Sequence, residues 1–253
     1  MSRQGPLISV LMPTYNVDRF ASTAIASVLK QTFTSWELLI CDDGSKDNTV
    51  EVVKAMARLD GRIRVRVNPQ NQGVAKTRQQ LLELARGLLV CHVDSDDWIE
   101  PHALEVMVAE FAADPELALA YSDCARVNAK GELTSYRESK NFSSPKMCAA
   151  MGWNHLGMFR RQVAIDVGGY NTLLWTCSDG DLWMKIAQKH KIKRVPRMLY
   201  NYRSHQTNLG RRSPHDCKTC DKRPVCNYFQ GWISTVKTYK MLPAEKIAAL
   251  EPA

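Results

Sequence analysis

Hydrophobic and polar positions follow two different periods along the first half of the chain. The runs LISVLMP, WELLICDD and LLVCHV are short and apolar, and each precedes a segment with apolar residues at helical spacing. RIRVRVN instead alternates, with Ile63, Val65 and Val67 on one face and arginines on the other, which predicts a half-exposed strand near a sheet edge. LLVCHV is apolar throughout, so we expect it at the centre of the sheet.

Strand and helix alternate four times up to about residue 115, which predicts an α/β fold with a mostly parallel central sheet flanked by helices. The pattern then loosens. We expect a strand in LALAYSDCARVN, a hairpin arm or loop in GELTSYRES, and a short helix that ends at a glycine pair in RRQVAIDVGGYN. A helix in SDGDLWMKIAQKHK and a closing strand in IKRVPRMLYNYR follow. The chain thus divides into residues 1–115, residues 116–210 and a small, basic, cysteine-rich extension, residues 211–253.

Composition and charge narrow the class of protein. The 253 residues are 45% apolar and 24% charged, which is typical of a soluble globular protein. No apolar run approaches the roughly 20 residues that span a bilayer, and the N-terminus lacks a signal-peptide pattern, so we expect a cytoplasmic protein. Residues 185–240 contain fourteen Lys and Arg against two Asp, a net charge of +12. Such a segment indicates either an anionic partner or a solvated basic face.

Three aspartates, Asp94, Asp96 and Asp97, follow the fourth predicted strand within four positions. One interpretation is a solvated loop in which Asp97 caps a helix that starts at Pro101. The other is a divalent-cation site, because closely spaced carboxylates repel one another unless a positive charge lies among them. CDDGSKDN and PTYN end two other strands at the same predicted edge, where open α/β sheets bind ligands. This placement favours a ligand site.

The chain resembles family 2 glycosyltransferases in seven segments that occur in the family's order over roughly residues 7–209: ISVLMPTYN, ICDDGSKDNT, NQGVAKTRQ, HVDSDDWIEP, VGGYN, SDGDLWMKIA and LYNYRSHQTN. The resemblance implies the GT-A fold and the transfer of a sugar from a nucleotide diphosphate, with UDP favoured. It also implies that residues 1–115 form the nucleotide-sugar-binding half and residues 116–210 the acceptor-binding half. The Q-x-x-R-W signature of processive synthases is absent, which predicts a single addition.

Asp94 and Asp96 match the D-x-D motif of that family, and the resemblance implies that Asp96 binds Mn²⁺ or Mg²⁺. Asp94 is a second ligand or faces the ribose. Such a cation neutralises the charge that develops on the leaving diphosphate. His205 is the candidate third ligand; a structural or surface histidine is the alternative. By the same resemblance, the nucleotide-sugar site includes Pro13, Tyr15, Asp42, Asp43, Arg78, Asp94 and Ser95. Asp43 could instead only form a turn, and Arg78 could be a surface cation.

Asp179 matches the catalytic base of the family, which takes the proton from the acceptor hydroxyl during a single displacement with inversion. In the usual motif a Glu precedes that base, whereas Ser178 stands here and Gly180 follows. Asp181 is therefore the second choice, although its place in the first turn of a predicted helix gives it another role.

SPHDCKTCDKRPVCNY has the spacing C-x2-C-x5-C with a histidine before it, and predicts a structural zinc site formed by His215, Cys217, Cys220 and Cys226. The spacing also resembles part of iron–sulfur auxiliary domains, and three unremarkable thiols are the remaining interpretation. The other five cysteines are scattered, as is typical of a reducing compartment.

The leading hypothesis is a metal-dependent, inverting, non-processive glycosyltransferase that acts on a saccharide or lipid-linked glycan, in the cytoplasm or peripherally at the inner membrane surface. The basic C-terminal third leaves a hydroxylated base in DNA as an alternative acceptor. A non-catalytic nucleic-acid-binding protein on the same scaffold is a third hypothesis. Such a protein is expected to lose the carboxylates of the site, yet all five are present: Asp42, Asp43, Asp94, Asp96 and Asp179.

Overall fold

The computed structural model describes residues 5–139, 155–174 and 178–208. Its first part contains the strands and helices β1 (Ile8–Thr14), α1 (Asp18–Leu29), β2 (Trp36–Asp42), α2 (Thr49–Ala57), β3 (Ile63–Val67), α3 (Val74–Leu84), β4 (Leu89–His92), β5 (Trp98–Ile99) and α4 (Ala103–Ala113). These are followed by β6 (Leu117–Asn128), β7 (Leu133–Arg137), β8 (Gly157–Arg160), α5 (Arg161–Asp166), α6 (Ser178–Ala187) and β9 (Lys191–Ser204).

The strands of the described ranges form one sheet in the order β3-β2-β1-β4-β8-β6-β9-β5, with β7 paired to β6. β1, β2, β3 and β4 pair in parallel, and β3 lies at an edge with β4 inside, as predicted. The later half is mixed, because β8 runs antiparallel to both β4 and β6. GELTSYRES supplies the hairpin arm β7. The two- and four-residue strands β5 and β8 were not predicted, since they are too short for a periodic pattern.

Helices cover both faces of the sheet, and alternate residues of β1 point to opposite faces. Val10 and Met12 belong to one buried cluster with apolar residues of α1, α2 and α4, such as Leu104. Leu11 belongs to a second cluster with apolar residues of α3, α5 and α6, such as Leu81. This arrangement confirms the predicted α/β class and leaves the carboxyl ends of the parallel strands free at one edge.

Glu37 is a charged residue in the interior of β2, and only 2% of it is exposed. Its carboxylate accepts hydrogen bonds from the Ser9 hydroxyl at 2.7 Å and from the Arg86 backbone amide and Nη2, both at 2.8 Å. Burial alone would raise the pKa of Glu37, but the hydrogen bonds from Arg86 and Ser9 outweigh burial and hold that pKa below its usual range.

We expect Glu37→Gln to lower the free energy of unfolding by about 1–3 kcal/mol near neutral pH, because charge-assisted hydrogen bonds are lost. The pKa of Glu37 is lower in the folded protein than in the unfolded chain. Its contribution is therefore complete above about pH 4.3 and is lost as the pH falls through the folded-state value. Urea unfolding at neutral pH and near pH 3 measures the difference, with Glu51→Gln, at an exposed glutamate of α2, as the control. Equal destabilisation at both pH values would contradict this prediction.

Candidate functional site

Three loops meet at one edge of the sheet. β1 pairs in parallel with β2 and β4, in registers that place Thr14 beside Asp42 and Leu11 beside His92. Because parallel strands point the same way, the segments after β1, β2 and β4 leave the sheet at the same edge, where α/β folds bind ligands. These segments contain PTYN, CDDGS and DSDD. The predicted meeting of the three loops is confirmed.

The two carboxylates of CDDGS shape the loops at this edge. Asp42 is fully buried and accepts hydrogen bonds from the backbone amides of Gly44 at 3.1 Å and Ser45 at 2.9 Å. Asp43 accepts a hydrogen bond at 2.8 Å from the amide of Gly73, the residue directly before α3. The turn considered for Asp43 is thus replaced by hydrogen bonds from this segment to Asp42, and contact of either carboxylate with a nucleotide stays a prediction.

The remaining residues predicted to line the nucleotide-sugar site differ in exposure. Pro13 is half-buried, whereas 42% of Tyr15 is exposed, which leaves its ring accessible for stacking. Ser95 is buried between the aspartates of DSDD.

Arg78 of α3 joins the DSDD loop to α6. Its Nη2 donates to Asp94 Oδ1 at 2.9 Å, its Nη1 donates to Ser178 Oγ at 3.2 Å, and Nη1 lies 3.6 Å from Asp179 Oδ1. Burial disfavours the charged guanidinium, but Asp94 and Asp179 outweigh burial and raise the pKa of Arg78. The surface-cation interpretation of Arg78 is wrong, since the residue is 6% exposed.

The two candidate bases of α6 lie in different surroundings. Asp179 faces Arg78, and although burial would raise the pKa of Asp179, Arg78 and His155 lower it to about 2. Asp181 is buried and forms an ion pair with Lys185 Nζ at 2.8 Å. The structure therefore brings Asp179 to the carboxylate cluster, while Asp181 is paired within its own helix.

Asp96 faces the end of β9. Its Oδ2 lies 2.9 Å from His205 Nε2 and accepts a hydrogen bond from Asn208 Nδ2 at 3.1 Å. Two neighbouring ligands of an octahedral ion with bonds of about 2.1 Å are separated by about 3.0 Å, so Asp96 and His205 fit two positions of one Mg²⁺-like ion. The surface-histidine interpretation is wrong, because His205 is 8% exposed.

A complete protein metal site, with three or more His, Cys, Asp or Glu side chains, is not found in the part of the chain that the structure describes. Mg²⁺ is usually bound by one or two carboxylates together with waters and substrate phosphates, so an incomplete protein shell fits that use. The carboxylate of Asp96 also suits Mn²⁺, and the imidazole of His205 supplies a second donor, a nitrogen, beside it.

Asp97 anchors the DSDD loop to β9. It is 1% exposed and accepts hydrogen bonds from Tyr200 Oη and from the Arg203 amide, both at 2.7 Å, and the amide of Asp94 donates to Tyr200 Oη at 3.1 Å. Burial and the charges of Asp96 and Asp94 raise the pKa of Asp97 well above its usual range. The helix-cap interpretation is wrong, since α4 begins at Ala103 after His102 and has no side-chain cap.

Three residues of the cluster were missed by sequence reasoning. Tyr200 and Asn208 lie in LYNYRSHQTN, where only the histidine was considered. His155 lies in a stretch without a periodic pattern, yet its Nε2 is 3.6 Å from Asp179 Oδ2 and 3.9 Å from Asp94 Oδ2. A single histidine outside any motif carries no signal that distinguishes it from a core histidine.

The described part of the basic segment is largely paired with acidic side chains, in the ion pairs Lys185–Asp181, Lys191–Asp114, Lys193–Glu110 and Arg194–Asp123. The predicted zinc ligands His215, Cys217, Cys220 and Cys226 lie outside the described residues. Across the described ranges, every helix is too short or too polar to cross a bilayer.

Comparison with known proteins gives a consistent family. The family model described as "Glycosyl transferase family 2" matches residues 9–171. The chain is 32% identical over 206 residues to the chondroitin synthase of Pasteurella multocida (strain Pm70), and the match covers 81% of this chain and 21% of that protein. The chain thus spans about a fifth of the length of this relative.

Two solved structures show the same fold. S. aureus TarS 1–349 in complex with UDP-GlcNAc has a TM-score of 0.72 at 18% identity, over 96% of this chain and 70% of that chain. The mannosyltransferase PcManGT from Pyrobaculum calidifontis, in complex with GDP-Man and Mn²⁺, has a TM-score of 0.65 at 16% identity, over 98% of this chain and 79% of that chain. The expected GT-A fold is confirmed.

Proposed function

Because the chain belongs to glycosyl transferase family 2, we propose that it transfers a sugar from a nucleotide diphosphate, with UDP favoured, to a hydroxyl of a saccharide acceptor. The observation that carries this proposal is a single cluster in which buried Arg78 contacts both Asp94 and Asp179. One charged side chain thereby links a residue proposed to bind the nucleotide-sugar to the proposed base.

The donor lies along the edge formed by β1, β2 and β4. The exposed ring of Tyr15 stacks on the nucleobase beside Pro13, and the loops shaped by Asp42 and Asp43 receive the base and ribose. Asp94 and Ser95 continue the site towards the sugar. Support for this placement comes from the register of the parallel strands, which brings these loops together.

Asp96 and His205 would hold Mn²⁺ or Mg²⁺ together with water and diphosphate oxygens, while Asp94, whose Oδ1 accepts from Arg78, faces the sugar. When bound, the cation neutralises the negative charge of the diphosphate. The 2.9 Å separation of His205 Nε2 and Asp96 Oδ2 supports this assignment. Asn208 orients Asp96 through its 3.1 Å hydrogen bond.

Asp179 acts as the base. Arg78 keeps its carboxylate ionised, since the pKa of Asp179 is lowered to about 2. The acceptor oxygen forms a bond to the anomeric carbon, the bond from that carbon to the diphosphate oxygen breaks, and the acceptor proton passes to Asp179. One such displacement inverts the anomeric configuration. The ion pair of Asp181 with Lys185 supports the choice of Asp179.

The acceptor is proposed to be a saccharide, free or lipid-linked, because the chain is similar to a protein named chondroitin synthase. Three of the five cations of β9, Lys191, Lys193 and Arg194, pair with carboxylates of the domain, so the described residues give no specific support to DNA as acceptor.

We expect UDP-sugars to raise the melting temperature when Mn²⁺ is present. A ligand at a hundred times its dissociation constant stabilises the folded protein by about 2.7 kcal/mol. The measurement compares UDP, GDP, CDP and dTDP and their sugars, each with Mn²⁺ or with EDTA. UDP release in the presence of a saccharide acceptor then reports turnover. Absence of a shift with every nucleotide would overturn the proposed donor site.

A further inference from the structure

His155 stands between the two carboxylates that Arg78 joins. Its Nε2 lies 3.6 Å from Asp179 Oδ2 and 3.9 Å from Asp94 Oδ2, whereas Arg78 contacts the Oδ1 atom of each. Both distances exceed the usual range of a hydrogen bond, so Nε2 is not hydrogen-bonded to either carboxylate and is available to a ligand oxygen that lies beside the three atoms, a place that we call the gap. The side chains of His155, Asp94 and Asp179 are 19–25% exposed, so solvent reaches this part of the site.

The imidazole of His155 is held in place by packing and by its backbone. Its ring centroid lies 5.1 Å from that of Tyr200 and 6.0 Å from that of Trp183. Ser122 Oγ accepts from the amide of Leu156 at 2.8 Å, and its hydroxyl lies 3.2 Å from the carbonyl oxygen of His155 and 2.9 Å from that of Asp123. The ring is therefore positioned before any substrate binds, which is how a specificity contact is built.

The surroundings also decide which ring nitrogen donates. Nδ1 is buried and has no hydrogen-bond partner in the part of the chain that the structure describes. Nε2 faces two carboxylate oxygens, which accept hydrogen bonds and do not donate when ionised. The tautomer with its proton on Nε2 is therefore favoured, and His155 presents a donor to the gap.

The occupant of the gap follows from its neighbours. Asp94 is proposed to bind the nucleotide-sugar and Asp179 to face the anomeric carbon, so the transferred sugar lies between them. The attacking acceptor hydroxyl is the poorer candidate, because a hydrogen bond donated to its oxygen would reduce its nucleophilicity. A sugar hydroxyl donates one hydrogen bond and accepts others, which matches a site with one donor and a carboxylate acceptor.

Building on the proposed function, we propose that His155 Nε2 donates a hydrogen bond to one hydroxyl of the transferred sugar while Asp94 Oδ2 accepts from the same hydroxyl. His155 is then a specificity-determining residue for the donor sugar. A site built to hydrogen-bond a hydroxyl rejects the analogue that lacks it, because its polar groups are left unpaired.

The test combines a change in the protein with a change in the sugar. The donor is whichever of UDP-glucose, UDP-galactose and their N-acetyl forms turns over fastest, together with its single-deoxy analogues. We expect the protein to discriminate against one deoxy donor by about 10- to 100-fold in kcat/KM. His155→Phe keeps the ring volume but removes the donor. This variant should lower kcat/KM for the complete donor by a similar factor and leave kcat/KM for that deoxy donor unchanged. The protein then no longer discriminates between the two donors.

His155→Gln retains an N–H donor and should restore part of the discrimination. Binding of UDP alone, measured by thermal shift, should match in all three proteins and shows that the variants are folded. An equal loss with every donor, a loss of UDP binding, or the absence of any discriminated deoxy donor would overturn the inference while the proposed function stands. If none of the four UDP-sugars turns over, the proposed UDP-sugar transfer itself fails, and the inference fails with it.

Discussion

Asp179→Asn will reduce kcat for sugar transfer by about 10²- to 10⁴-fold, which is the usual contribution of a positioned general base. The amide cannot take the acceptor proton, but its volume and its place beside Arg78 are retained. Binding of the nucleotide with Mn²⁺ should therefore change little. Initial rates of UDP release with saturating donor and acceptor measure the first effect, and thermal shift with UDP measures the second.

Two control variants test whether the loss of kcat is specific to the proposed base or follows the removal of any aspartate charge. Asp166→Asn changes an exposed aspartate of α5 and should leave kcat unaltered. Asp181→Asn breaks the ion pair with Lys185, so we expect it to lower stability while the folded protein keeps its turnover. The opposite result would be a large loss of kcat in Asp181→Asn, measured at a temperature where this variant is folded, together with normal turnover in Asp179→Asn. That result would make Asp181 the base instead of Asp179.

Much of the fold was predictable because its signals are local and repeated. Four strand–helix units predicted the parallel half of the sheet, and the alternating RIRVRVN predicted its edge strand β3. The later half was less predictable. β5 has two residues and β8 has four, and each is held by pairing with distant strands rather than by its own periodicity.

At the site, too, local motifs could be predicted from the sequence, whereas contacts between distant residues could not. The aspartates of DSDD could be found in the sequence, but their separate partners could not. Asp94 pairs with Arg78 from α3, Asp96 meets His205, and Asp97 binds Tyr200. These partners lie 16 to 109 positions away. The fold gives each carboxylate its own partner, although the charges of Asp96 and Asp94 still raise the pKa of Asp97.

His155 marks the limit of sequence reasoning at this site. Its neighbours Asp94 and Asp179 belong to different motifs, and only the antiparallel strand β8, inserted between β4 and β6, carries it to them. A lone histidine before a short apolar strand is more often a core residue. Its role therefore depends on a geometry that a linear pattern does not contain.

Asp96→Asn should raise the Mn²⁺ concentration needed for half-maximal activity by at least about 100-fold, since even the loss of a group that only orients a metal ligand costs 10- to 100-fold in affinity or activity. Asn is a weaker, uncharged ligand, and its amide can still contact His205. We therefore expect little change in melting temperature without ligands. Titration of Mn²⁺ in the presence of UDP, followed by the paramagnetic signal of the free ion, measures the affinity directly.

The adjacent aspartate provides the contrast. Asp97→Ala removes the anchor to Tyr200 and the Arg203 amide and leaves both buried donors without an acceptor. It should lower the free energy of unfolding by about 2–4 kcal/mol, whereas Asp96→Asn should not. His205→Gln should reproduce the weakened Mn²⁺ response of Asp96→Asn. Unchanged Mn²⁺ affinity in both of these variants would exclude the pair as metal ligands and leave their 2.9 Å contact as a purely structural bond.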